Sequence, residues 1–342
     1  MTVYSAVFLA ISLCTLVSYG NVSFKIKRNL YWGCAAALIV LSAVRDFTVG
    51  ADTLNYCQGY RYIQQLSFGN AMKFGWEQGY VAINWLLGRF FYDTRTLLVF
   101  MATFILVPIF IWIKRESRRP LLSLIVFVGM GMWNSSMFIL RQWCAMAILT
   151  FSYKYIKERK LVPFIVVVLI AMMFHRTAAV FILAYFIEGI SINRPTVILS
   201  MPLSIVVGLL GGKVLDILNR FARISEDGNF NGGVSMLLVL WLCVIAVPAC
   251  FNGRIPEKLD FYFKLVFLAA FLQPISFTFS NWARIVAYFS ISLTVFLPNL
   301  IEDLTADNTQ NFKLKIPIEV IFGFLMLAWF NISNPDPYFF MK

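Results

Sequence analysis

Apolar runs about as long as a membrane span recur along the whole chain, and only short polar segments separate them. A helix that crosses a bilayer needs about 20 predominantly apolar residues. The runs that meet or approach this length are residues 2–19, 30–44, 96–113, 121–140, 143–157, 161–174, 177–190, 195–212, 234–251, 262–280, 284–301 and 316–333. This pattern predicts an all-α, polytopic membrane protein with about twelve transmembrane helices.

The composition excludes a water-soluble fold. Of the 342 residues, 13% are charged and 60% are hydrophobic, whereas a soluble globular domain carries roughly 25% charged residues. No polar stretch is long enough to fold as a separate soluble domain. We therefore expect residues 1–342 to form a single multi-span membrane domain.

Basic residues cluster in the short links between the apolar runs. The formal charge of +12 results from 29 lysines and arginines against 17 aspartates and glutamates. Three clusters, Lys25–Arg28, Lys114–Arg119 and Lys154–Lys160, lie between consecutive runs, where cytoplasmic positive charge normally fixes helix orientation. The excess charge is therefore interpreted as a topology signal, and no nucleic-acid partner is expected.

The positive-inside rule also assigns a side to the remaining links. It places Arg194, residues 254–264 and residues 313–315 in the cytoplasm. The links expected to face outwards are residues 45–95, the junction at Arg141, the break at His175–Arg176, the loop 213–233, the junction at Arg284 and the C-terminal tail. If the short runs 161–174 and 177–190 form one span instead of two, every later link changes side.

A further apolar run, residues 76–92, is short and contains Glu77 and Arg89. The cytoplasmic clusters on either side of it leave room for two crossings only, which residues 30–44 and 96–113 supply. Residues 76–92 are therefore predicted to form a re-entrant or interfacial helix.

Five arginines lie at span ends or in loops on the predicted outer face, where positive charge is disfavoured. Arginine stays charged and presents a planar fork of donors that suits phosphate oxygens. Their convergence predicts a diphosphate site, although snorkelling or a structural ion pair is the alternative for each one. The five are Arg45, Arg141, Arg176, Arg223 and Arg284.

Three titratable residues are candidates for proton transfer near these arginines. Asp52 and Glu77 belong to the predicted outer segment, and His175 is the only histidine in the chain. Carboxylates at a membrane surface and imidazoles both serve as general acids or bases. The alternatives are a helix cap formed by Asp52 and Thr53 and a structural contact at a helix break for His175. The sequence does not distinguish which of the three would act as the base.

The sequence lacks the motifs that usually indicate nucleotide binding, zinc binding or redox chemistry. It contains no Walker loop and no GxGxxG fingerprint, and its six cysteines have no spacing typical of zinc or redox sites. We therefore expect no metal and no cofactor, and a cytoplasmic nucleotide sugar is disfavoured as the donor. A lipid diphosphate sugar, reached from the membrane, suits both the arginines and the spans.

Four short motifs resemble the EpsG group of Wzy-type polysaccharide polymerases. After Arg45 comes Gly50-Ala-Asp52-Thr53-Leu-Asn-Tyr56, followed by Trp76-Glu77-Gln-Gly79-Tyr80. Leu140-Arg141-Gln142 and Phe174-His175-Arg176-Thr177-Ala178 are similar to that family's Arg-Gln and Phe-His-x-Ser/Thr-Ala patterns. The resemblance extends from about residue 45 to 190, and beyond it Arg223 and Arg284 match only by position and character.

The resemblance implies a glycosyltransferase C-like membrane enzyme of the bacterial inner membrane, with its active site facing the periplasm or exterior. Such an enzyme joins undecaprenyl-diphosphate-linked oligosaccharide repeats, as donor and acceptor, into O-antigen, capsule or exopolysaccharide. Membrane lipids and a chain-length regulator protein are the implied partners. Asp52, Glu77 and His175 would be catalytic, and the substrate-binding residues would be Arg45, Thr53, Tyr56, Tyr80, Arg141, Gln142, Arg176, Arg223 and Arg284.

Two other functions suit a chain of this kind. A transporter or flippase of lipid-linked sugars or other anions also uses broken spans and buried charges. A ligase or acyltransferase with a similar body would pass a lipid-linked product to a different acceptor.

Overall fold

The computed structural model describes residues 3–20, 22–211, 233–251, 255–279, 281–306 and 338–340. These residues are predominantly helical, and none of them belongs to a β-strand. The prediction of an all-α protein is therefore confirmed. The described residues group into two compact units. This grouping does not test the expectation of a single membrane domain, which stays a prediction.

The first unit comprises the described residues of Met1–Phe151, Leu169–Arg176 and Asn308–Lys342. Its helices are α1 (Val3–Tyr19), α2 (Phe24–Ala43), α3 (Thr53–Gln64), α4 (Phe68–Ala71), α5 (Gln78–Phe90), α6 (Thr94–Glu116), α7 (Pro120–Gly129), α8 (Met132–Phe138) and α9 (Leu140–Leu149). Helix α11 (Leu161–Met172) contributes its last turn to this unit.

The second unit comprises the described residues of Ser152–Val168 and Thr177–Asp307. Its helices are α10 (Tyr153–Lys157), most of α11, α12 (Leu183–Glu188), α13 (Arg194–Leu209), α14 (Gly233–Cys250), α15 (Glu257–Leu272), α16 (Trp282–Ser290) and α17 (Leu293–Ala306), with 3-10 segments at Arg176–Ile182 and Gln273–Phe277. Within it, the buried ammonium of Lys264 contacts Asp260 at 2.6 Å and donates to the carbonyl of Glu188 at 2.9 Å.

Side-chain caps mark the starts of three of the longer helices. The side chains of Ser23, Asp93 and Asn193 accept backbone N–H groups at the starts of α2, α6 and α13, respectively. Such caps satisfy donors that have no partner inside the helix. Local sequence therefore fixes these helix boundaries.

The predicted count of about twelve spans is not confirmed. Among the described residues, two helical stretches, Thr94–Glu116 and Glu257–Phe277, are long and apolar enough to cross a membrane, and the number rises to four if two bent helix pairs each form one span. Several other apolar runs form helices of 10–17 residues, which are about 15–26 Å long. The predicted span 316–333 lies outside the described residues.

Helix breaks account for part of the difference, because hydropathy does not detect them. The run predicted as span 121–140 is divided into α7 and α8, which are bent by 61°. Gly131 lies at this bend with φ 71°, in the left-handed region that glycine enters without steric cost. The length of an apolar run therefore does not show whether the run forms one straight helix or two helices joined by a bend.

The short apolar run 76–92 forms α5, a helix of 13 residues, which is about 20 Å long and thus shorter than a bilayer core. Its face with Tyr80 and Val81 is buried, and Val81 belongs to a small core with Ile63 and Ala71. The length agrees with the prediction of a non-crossing helix, while its place in the membrane interface stays a prediction.

Candidate functional site

The carboxylate of Glu77 is the centre of a charged cluster at the start of α5. Glu77 is the residue before the helix, and its backbone is extended. Its Oε2 atom accepts a hydrogen bond from Nη1 of Arg141 at 2.7 Å, and its Oε1 atom lies 3.2 Å from Nδ1 of His175. Oε1 also accepts the backbone N–H of Arg176 at 3.3 Å. All four residues belong to the first unit.

A close backbone contact brings His175 to this position. The N–H of Gly79 donates to the carbonyl of Met173 at 2.8 Å, so the segment after α11 lies directly on the first turn of α5. A Cβ atom at position 79 would approach both Cβ and the carbonyl oxygen of Met173 to 2.8 Å. The motif therefore needs glycine here because any side chain would push the His175 segment away.

We expect Gly79→Ala to disturb the cluster. Overpacking a filled contact usually costs about 1–3 kcal/mol, and here the strain acts between the elements that carry Glu77 and His175. Thermal unfolding followed by tryptophan fluorescence should show a lower Tm. Gly75→Ala is the matched control, because a Cβ at Gly75 meets no atom within 4 Å. Equal Tm values for the two variants would contradict this role of Gly79.

Arg141 reaches the cluster from the first turn of α9. Its guanidinium lies 5.7 Å from the ring centre of Trp76, and the Tyr56 hydroxyl also interacts with it. The Trp76 ring packs against Tyr56 at 5.4 Å and against Tyr80 at 5.6 Å. Trp76, Tyr56 and Tyr80 thus form an aromatic group that packs next to the guanidinium of Arg141.

The Glu77 carboxylate is held in its ionised form. Burial by itself raises the pKa of Glu77, but the hydrogen bond from His175 and the positive charge of Arg141 outweigh this effect and lower the pKa to about 2. The side chains of Glu77, Arg141 and His175 are 9%, 27% and 19% exposed, so the cluster is largely buried but still reachable. A charged carboxylate here orients both partners and is too weakly basic to remove a proton at neutral pH.

A comparison with known protein families agrees with the motifs. The model of the EpsG family matches residues 29–341, which is nearly the whole chain. The chain belongs to the EpsG family. The resemblance predicted from the sequence is therefore confirmed, and family membership indicates a polysaccharide polymerase-like role in a membrane. No curated protein and no solved structure is detectably similar to the chain.

Arg45, the first motif residue of this EpsG-family protein, is 1% exposed. Its guanidinium donates to the backbone carbonyls of Ser42 and Met137. Among the described residues, its Nε atom has no partner. In this conformation Arg45 joins α2 to α8, and its predicted role as a substrate ligand stays a prediction.

Asp52 and Thr53 lie at the start of α3. Asp52 occupies the cap position, but its side chain makes no capping hydrogen bond, so the alternative interpretation of Asp52 as a cap is not realised in this structure. The Thr53 hydroxyl is buried and donates to the carbonyl of Val49 at 2.7 Å. Asp52 interacts electrostatically with Tyr56, whose hydroxyl interacts with Arg141. Among the described residues, Asp52 makes no hydrogen bond to Glu77, Arg141 or His175.

The other predicted ligands differ in burial and in the unit to which they belong. Tyr80 and Gln142 are buried, whereas the Arg176 side chain is exposed. Arg284 lies in the first turn of α16 in the second unit, and its side chain is partly buried. Arg223 and the loop 213–233 lie outside the described residues, except for the first residue of α14.

Sequence reasoning identified Glu77, Arg141 and His175 individually but not as one cluster. It also missed Met173, whose carbonyl anchors the His175 segment to Gly79. The Gly79 of the Trp-Glu-Gln-Gly-Tyr motif was the one available signal, because a glycine in a helix start often marks a close approach of another backbone.

Proposed function

We propose that this protein polymerises undecaprenyl-diphosphate-linked oligosaccharide repeats into a surface polysaccharide, at the outer face of the bacterial inner membrane. The observation that supports this most is the Glu77–Arg141–His175 cluster. It combines a hydrogen-bonded imidazole with a cation that suits a diphosphate, and all three residues belong to motifs of the family. The outer face and the count of about twelve spans follow from the positive-inside rule and the apolar runs and form part of the proposal.

His175 is the general base in this proposal. Glu77 accepts from Nδ1 of His175, which fixes the tautomer with the proton on Nδ1 and leaves Nε2 free to accept a proton. Glu77 itself is an orienting group, since the lowered pKa makes it a poor base. Asp52 is the third candidate. Unlike His175, it has no hydrogen bond to Glu77 within the described part of the chain, which favours His175 as the base.

Arg141 binds the donor diphosphate. Glu77 occupies its Nη1 atom, but the Arg141 side chain is 27% exposed, so the guanidinium can still present donors to phosphate oxygens. The substrate-binding roles that the resemblance implies for the remaining residues stay part of this proposal. These residues are Arg45, Thr53, Tyr56, Tyr80, Gln142, Arg176, Arg223 and Arg284.

The reaction then proceeds in one displacement. Nε2 of His175 takes the proton of the acceptor hydroxyl as its oxygen bonds to the anomeric carbon of the donor glycan. The bond from that carbon to the diphosphate oxygen breaks, and undecaprenyl diphosphate leaves with the electron pair. Arg141 stabilises the negative charge that develops on the leaving oxygen.

Chain growth by the purified protein in detergent tests the proposal. Given lipid-linked repeats and no sealed membrane, a polymerase should produce ladders of longer lipid-linked glycans. A transporter or flippase would leave the repeats unchanged, and a ligase would move one product to another acceptor without lengthening it. Either of those results would overturn the proposal.

Loss of the Arg141 side chain should slow chain growth. A charge-assisted contact contributes about 1.5–3 kcal/mol, so Arg141→Ala should reduce the rate by roughly 10- to 150-fold if the contact is made in the transition state. Membranes with this variant should accumulate single lipid-linked repeats, and we expect the same for Arg284→Ala. Arg61→Ala, at an exposed arginine of α3, is the control. Full-length polymer at matched protein levels would remove Arg141 from the mechanism.

A further inference from the structure

Helices α1 and α2 leave an open apolar groove between them. It measures about 480 Å³, within the range of roughly 300–1,000 Å³ typical of small-molecule sites. Its lining includes Ile11, Leu30 and Ala37 together with the thiols of Cys14 and Cys34, and Asn29 supplies an amide. A Cβ atom at Gly33 would meet none of the described residues within 4 Å, so these residues leave the α2 wall unfilled at that point.

Two lysines flank one end of this groove. Ile26 is the first groove residue of α2, with Lys25 before it and Lys27 after it. Because each residue turns the helix by about 100°, these lysines lie on the two sides of the groove face. Both are exposed, and neither has a carboxylate partner within the part of the chain that the structure describes.

Further positive charge lies at the same end of the two helices. The ammonium of Lys114 is 5.7 Å from the ring centre of Phe24, the first residue of α2. The guanidinium of Arg119 is 5.2 Å from the ring centre of Tyr19, the last residue of α1. The groove therefore ends at a basic surface that both helices help to form.

This combination suits an amphiphile with an anionic head group. A free phosphate ion would make no favourable contacts with the apolar groove. A neutral lipid would gain no electrostatic attraction from the basic surface. The positive-inside rule predicts that this end faces the cytoplasm, where anionic lipids are attracted to basic segments. We propose that the groove binds an anionic phospholipid, with an acyl chain along α1 and α2 and the phosphate on Lys25 and Lys27.

The proposed lipid site is separate from the candidate active site. Helix α2 has 20 residues and is about 30 Å long. Arg45, which is one of the predicted substrate residues, follows its opposite end. The phospholipid site thus goes beyond the proposed polymerisation and does not depend on it.

Lipid binding to the full-length protein in detergent tests the site. Delipidated protein to which phosphatidylglycerol is added should show the bound lipid in native mass spectra and should have a higher Tm. Added phosphatidylcholine should produce neither effect. Replacing Lys25 and Lys27 by Gln should weaken phosphatidylglycerol binding about 30-fold, since a lysine near a lipid surface contributes about fivefold. Arg61→Gln with Lys73→Gln removes two exposed charges elsewhere in the same unit and should leave binding unchanged.

Filling the groove gives a second, charge-independent test. Gly33→Leu should abolish retention of the lipid, whereas Gly69→Leu, at another glycine with open space around it, should not. Equal binding of both phospholipids, unchanged binding in Gly33→Leu, or preferential binding of undecaprenyl phosphate would each overturn the proposal.

Discussion

Replacing His175 by alanine should lower the rate of chain growth by about 10²–10⁴-fold, the usual contribution of a general base. In the proposed mechanism only its Nε2 atom takes the proton of the acceptor hydroxyl. His175→Gln should be almost as slow, because an amide can keep a hydrogen bond to Glu77 but cannot accept the proton. The measurement is the initial rate of chain growth by purified protein, together with the amount of bound lipid-linked repeat.

The other candidate base provides the control for this prediction. Asp52→Asn should change the rate little, because Asp52 makes no hydrogen bond to Glu77, Arg141 or His175 in the described part of the chain. A strong loss in Asp52→Asn with near-normal activity in His175→Ala would assign the base to Asp52 instead.

Glu77→Gln should have the second largest effect, on both stability and activity. The pKa of Glu77 is lowered from an ordinary value of 4.5 to about 2 in the folded protein, so its ionised form stabilises the fold. This contribution is fully present above about pH 4.5 and is lost as the pH falls towards 2, and it amounts to about 3 kcal/mol. At neutral pH the Glu77→Gln variant lacks this stabilising contribution, and Arg141 loses its ion-pair partner.

Thermal unfolding at several pH values measures this effect. The wild-type Tm should drop between pH 4.5 and pH 2, and the Glu77→Gln curve should be lower at pH 7 and flatter over that range. Chain growth should slow roughly 10- to 150-fold, by analogy with the loss of one charge-assisted contact. Glu158→Gln removes an exposed partner of Lys160 and should change neither quantity appreciably. Wild-type Tm and rate in Glu77→Gln would refute the central role of this carboxylate.

Much of the general character of the protein could be predicted from short stretches of sequence. Apolar runs and low charge predict membrane helices, because the cost of exposing backbone groups in lipid acts on each segment locally. The motifs around Asp52, Glu77, Arg141 and His175 predicted the family, since each lies within a few consecutive residues. The count of spans could not be predicted equally well, because a bend such as that at Gly131 leaves the hydropathy of the run unchanged.

The sequence by itself thus determined the fold class, the membrane setting and the residues worth testing. Only the tertiary structure decided which of those residues act together. Glu77 is separated from Arg141 by 64 positions and from His175 by 98, and their contact depends on how α5, α9 and the end of α11 pack. The same packing places Arg141 and His175 around the Glu77 carboxylate and lowers its pKa, because burial and neighbouring charge are properties of the folded chain.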